Sequence, residues 1–102
     1  MATIRGAEYK ATGTDSKKRN IHKRRAVYRL SGSPTREQEM AIARLEKGIH
    51  DDWRNCSNPY SVMRGVEVLG IELSEEEQRE DGKWYPIDDP DIRLSMMETG
   101  AL

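Results

Sequence analysis

A chain of 102 residues has room for one domain, here taken as 1–102, with a core large enough to fold alone. With 35% hydrophobic residues, 34% charged residues and no Phe, that core must come from Leu, Ile, Val, Met, two Trp and four Tyr. No run nears the roughly 18 apolar residues of a membrane span, "MATIRGAEYK" lacks the apolar stretch of a secretory signal, and Cys56 is alone, which excludes an internal disulfide and a zinc site of paired cysteines.

The expected setting is therefore the cytoplasm, with no membrane partner. A sheet with one covered face and one wet face suits so lean a composition. The formal net charge of -1 hides a dipolar chain. Residues 1–30 hold nine Lys or Arg against Glu8 and Asp15, a balance of +7; residues 31–102 hold eight against sixteen carboxylates, a balance of -8. Such asymmetry points to a polyanion-binding end or an acidic surface.

The first thirty residues read as a hairpin. Ala7, Tyr9 and Ala11 alternate with Gly6, Glu8, Lys10 and Thr12, the period of two that strands show. In "IHKRRAVYRL", Ala26, Tyr28 and Leu30 form a matching apolar set, with Lys23, Arg25 and Arg29 on the opposite face beside Ile21 and Val27. Between them "GTDSKKRN" is rich in turn formers. Lys17, Lys18 and Arg19 would sit at the hairpin tip.

"SGSPTREQEMAIARLEKGIHDDWRN" is the clearest element, a helix over about 34–54. Ser33 with Pro34, or Thr35 with Gln38 as a capping box, would start it. Ile42, Leu45, Ile49 and Trp53 mark its buried stripe. Pro59 stops it, because the residue before a proline avoids helical geometry. "YSVMRGVEVLGIEL" at 60–73 reads as a strand, its change of parity absorbed by a bulge near Gly65 or Gly70. "SEEEQREDG" reads as a short helix or a wet connection, "KWYPI" as an edge strand, since Pro86 cannot donate to a ladder. Asp89 and Pro90 would open a short closing helix. The fold class is α+β: a small antiparallel sheet, made of the N-terminal hairpin plus two further strands, packed against one main helix.

No catalytic motif emerges. Glu46 and His50 lie one helical turn apart, but a zinc site needs a third protein ligand and no spacing supplies one, so a solvated helix face is the expectation. Asp88, Asp89 and Asp91 lack the twelve-residue calcium-loop pattern. Nothing local activates the Cys56 thiol. No cofactor, metal or enzymatic activity is expected. In small size, lone cysteine and lack of a catalytic motif, the chain is similar to accessory proteins of phages and mobile elements, a likeness of type that transfers no residue.

"KKRNIHKRR" at 17–25 packs six cations into nine residues. Lys17, Lys18, Arg19, Lys23, Arg24 and Arg25 are candidates for phosphate contacts with DNA or RNA, joined by protonated His22. A two-stranded ribbon can deliver such charges to a groove. Alternatively, Glu75, Glu76, Glu77, Glu80, Asp81, Asp88, Asp89 and Asp91 would form an acidic surface. Through it an inhibitor or adaptor would attract the basic groove of a nucleic-acid-handling protein. The bland alternative is that the cations pair with the chain's own acidic half. Self-association is left open.

Overall fold

A computed structural model describes residues 1–12, 21–51, 53, 54, 56 and 58–87. Its elements are β1 (Ala2–Arg5), β2 (Tyr9–Thr12), β3 (Ile21–Leu30), α1 (Arg36–His50), α2 (Pro59–Val68), β4 (Glu72–Gln78) and β5 (Trp84–Pro86). The fold is α+β, with two helices and an antiparallel sheet among the described residues. The closing helix expected from Asp89 lies outside the described residues.

The long strand β3 organises the sheet. On one flank it pairs with β1, from Ala2↔Leu30 to Arg5↔Val27, and with β2, from Tyr9↔Arg24 to Thr12↔Ile21. On the other flank it pairs with β4, from Lys23↔Gln78 to Arg29↔Glu72. The short β5 lies outside β4 and places Pro86 on the edge, as expected. Between β1 and β2, residues 6–8 face only residues 25 and 26 of β3, one residue too many, which is bulge geometry. Ile4 and Tyr9 therefore point to the same face although their numbers differ in parity. The alternation read through Ala7 fails there: Ala7 is exposed while Tyr9 is buried.

The core lies between the inner face of the sheet and the helices. Tyr9, Ala26, Tyr28 and Leu30 meet Ile42, Leu45 and Ile49 of α1, with Val66 of α2 and Ile71. The capping box at the start of α1 forms as its spacing predicts. Thr35 Oγ1 accepts from the Gln38 N–H at 3.2 Å and Gln38 Oε1 accepts from the Thr35 N–H at 2.9 Å. Gln38 Nε2 also donates to the Leu69 carbonyl at 3.0 Å, tying α1 to the end of α2. Trp53 lies just past α1 in the left-handed region (φ 60°), and its N–H bonds back to the Gly48 carbonyl at 2.8 Å. Its ring lies so close over Gly48 that a Cβ there would collide with it.

Two segments differ from expectation. The 60–73 stretch is mostly the helix α2. Asn58 Oδ1 caps it by accepting from the Ser61 N–H at 3.1 Å, and Pro59 takes the first helical position. Pro59 does not stop α1, which already ends at His50 with Asp51 as its cap; it begins α2, because a fixed φ and a missing N–H suit the first turn. The parity change taken for a bulge is the helical period of Val62, Val66 and Leu69. Gly70 (φ 80°) then turns the chain into β4. The second difference is β4 itself, which occupies the acidic run read as a helix or wet connection. Four Glu in seven residues are poor strand formers alone. Opposite them, however, stand cations: Arg25↔Glu76, Arg24↔Glu77 and Arg29↔Glu72. Cross-strand charge pairs override the local preference.

Candidate nucleic-acid interface

Strand parity splits the cations of β3 between two environments. Arg24 points inward with Tyr9, Glu75 and Glu77; Lys23 and Arg25 point outward with Glu76 and Trp84. On the inner side, the Arg24 guanidinium lies 3.8 Å from Glu75 Oε1 and 3.8 Å from Glu77 Oε2. Glu75 is fully buried, and the Tyr9 hydroxyl donates to it. Burial, and then the neighbouring Glu75 charge and hydrogen bond, push the Tyr9 hydroxyl far above its ordinary pKa.

A second carboxylate lies nearby. Glu46 accepts from the Ala7 N–H at 2.9 Å and from the Tyr28 hydroxyl, with His50 Nε2 3.7 Å away. Burial and the Glu46 hydrogen bond raise the Tyr28 pKa strongly. A Cβ on Gly6 would collide with the Glu46 carboxylate, so a larger residue there would displace that carboxylate from its bonds to Ala7 and Tyr28. The expected solvated face for Glu46 is thus corrected: it is an internal acceptor that ties the edge of the sheet to α1. The signal for both networks was the inward parity of Tyr9 and Tyr28, since a buried tyrosine hydroxyl needs a partner.

The outer side is stitched differently. Arg25 Nε donates to Glu76 Oε1 at 3.0 Å, and the guanidinium carbon lies 4.0 Å from the centre of the Trp84 ring. Arg5 reaches the same Glu76 oxygen at 3.5 Å. Lys23 is half-exposed, 3.7 Å from the equally exposed Glu8. It stands in register with Lys10 on β2, a like-charged cross-strand pair. His22 is in β3, opposite Ala11. Lys17, Lys18 and Arg19 lie outside the described residues, in the connection between the paired Thr12 and Ile21.

The acidic set is equally divided. Glu75 offers no surface. Glu76 is held by the two arginines, and Glu77 by Arg24 and by Arg79 at 3.7 Å. Glu80 and Asp81 are exposed. Asp81 accepts from the Tyr85 hydroxyl at 2.5 Å and the Lys83 N–H at 2.9 Å, and these bonds hold its carboxyl below the usual range. The same bond raises the Tyr85 hydroxyl, while Arg79 lies over the Tyr85 ring, 4.2 Å from its centre. Asp88, Asp89 and Asp91 lie outside the described residues. Among the described residues, no three His, Cys, Asp or Glu side chains cluster closely enough to hold a metal ion, and no helix is long and apolar enough to cross a membrane. Compared with protein-family models, curated proteins and solved structures, the chain matches none.

Proposed function

We propose that the protein is a non-enzymatic, cytoplasmic nucleic-acid-associated accessory protein. In this reading the β2–β3 hairpin lays its cations along a phosphate backbone. The division of charge along β3 supports it. Arg24 and Arg25 are consumed inside the sheet, whereas Lys23 has a half-exposed pair with Glu8 and stands in register with Lys10 of β2. Like charges directly opposite weaken a ladder, and a polyanion would relieve that cost. The adjoining connection adds Lys17, Lys18 and Arg19 against Asp15. We therefore assign phosphate contact to Lys10, Lys17, Lys18, Arg19 and Lys23, with protonated His22, and give Arg24 and Arg25 a structural role.

The acidic-surface alternative is less favoured because Glu75 is buried and Glu76 and Glu77 are ion-paired within the sheet. The deciding experiment is the salt dependence of binding to short DNA and RNA duplexes and single strands. Affinity should fall with a log–log slope of roughly -0.7 to -0.9 per neutralised phosphate. Changing Lys17, Lys18 and Arg19 together to Ser should make the slope shallower by about two to three units, equally for all sequences, since phosphate contacts do not read bases. No affinity at low salt for any of these probes would overturn the proposal.

A further inference from the structure

The exposed side of α1 carries a pattern the hairpin does not use. Glu37 and Arg44 stand two turns apart on one stripe, roughly 10 Å along the helix axis, with Met40 and Ala41 between them. Both charged residues are exposed, and among the described residues neither has an ion-pair partner in its own chain. Beside the stripe runs a groove of about 430 Å³ between α1 and α2, floored by Val62, Gly65 and Leu69. Met40 on its rim is 58% exposed. Over Gly65 the groove is open: an added Cβ would meet no atom within 4 Å.

The order of charges is acidic, apolar, basic. Such a sequence is its own complement when the helix meets a copy of itself running the opposite way. A two-fold axis between positions 40 and 41 sets Glu37 against the partner's Arg44 and Arg44 against the partner's Glu37. That is an isologous contact, in which each interaction occurs twice. We propose that α1 and the α1–α2 groove form the interface of a symmetric homodimer. Met40, beside the axis, enters the partner's groove over its Gly65. An unrelated apolar segment would leave Glu37 and Arg44 unmatched; a second copy satisfies both.

Sedimentation equilibrium over a concentration series tests this directly. The wild-type chain should show a reversible monomer–dimer equilibrium. Glu37→Arg and Arg44→Glu should each weaken dimerisation by about tenfold or more, because each sets like charges against each other twice. The double variant Glu37→Arg/Arg44→Glu restores the pairing and should return the dissociation constant to near the wild-type value. Gly65→Leu should give a monomer whose far-ultraviolet circular dichroism and melting match or exceed wild type, since the added side chain fills the groove without a clash in its own chain. A chain that is monomeric at every concentration would overturn the proposal. So would single reversals that dimerise like wild type, or a double reversal that fails to restore association.

Discussion

Glu75 and Glu76 are neighbours in β4, yet they live in different media. Glu75 faces the core, is fully buried, and is held by Tyr9 and Arg24. Glu76 faces outward, keeps 15% of its side chain exposed, and shares one oxygen between Arg5 and Arg25. Both make charge-assisted contacts to arginines of adjacent β3 positions. The difference lies in what water can do when the contact breaks. A guanidinium left behind at Glu76 is partly rehydrated, since half of the Arg5 side chain is exposed and Arg25 keeps some access to water. At Glu75 the abandoned group stays in a low-dielectric site.

Removing each carboxylate should expose that contrast. Glu75→Ala should cost about 3–5 kcal/mol, because it removes the acceptor of the Tyr9 hydroxyl and one of the two carboxylates beside a mostly buried arginine. Denaturant melts measure this, and a loss below about 1 kcal/mol would show that the inner pair is effectively hydrated. Replacing the whole inner set, Tyr9→Phe with Arg24→Met and Glu75→Leu, should recover most of that loss, since well-packed apolar groups of similar volume can substitute for a buried ion pair.

Alkaline pH attacks the inner face alone. The Tyr9 and Tyr28 hydroxyls are both held above the ordinary tyrosine value, first by burial and then by Glu75 and Glu46. A raised native pKa means that the stabilisation is complete below about pH 10, the unfolded value, and is lost as pH rises above it. There the unfolded chain releases protons that the native state keeps. Each tyrosine should contribute a fall of about 1.4 kcal/mol per pH unit. Tyr9→Phe should halve the joint slope relative to wild type; an unchanged slope would show that Tyr9 ionises normally in the folded state.

On the outer face the effects shrink. Glu76→Ala should cost about 1 kcal/mol, with partial compensation as Arg5 and Arg25 turn to water. Raising the salt concentration should reduce that difference, whereas the Glu75→Ala loss should hardly respond. Lys23→Ser should be the mildest, within about 0.5 kcal/mol, because its Glu8 pair is half-exposed on both sides. A gain in stability there would reflect removal of the Lys10–Lys23 opposition.

Much of this architecture is legible in the chain itself. Period-two alternation identifies β3 and assigns Ala26, Tyr28 and Leu30 to the core, where they are buried. Thr35 and Gln38 announce the start of α1 because capping chemistry acts over three residues. Spacings of three and four identify Ile42, Leu45 and Ile49 as its buried stripe. Pro86 marks an edge strand because it lacks a donor. These are short-range properties, decided by φ preferences, rotamers and neighbours a few residues away.

Only the tertiary structure decided the rest. The acidic run 72–78 is a strand because arginines some fifty positions earlier stand opposite it. No local window contains both partners. The 60–68 stretch is helical because Asn58 and Pro59 start it and α1 covers Val66, although its Val and Leu suit a strand equally well. The bulge at Gly6 shifts the register by one residue, and the close approach of Glu46 of α1 to that glycine becomes visible only in the fold. The same holds for the basic stretch. Its charge density is plain in the sequence, but which cations are neutralised follows from strand parity and from the carboxylates of β4. A charge is defined by the chain; its solvation, and hence what it can bind, is defined by the fold.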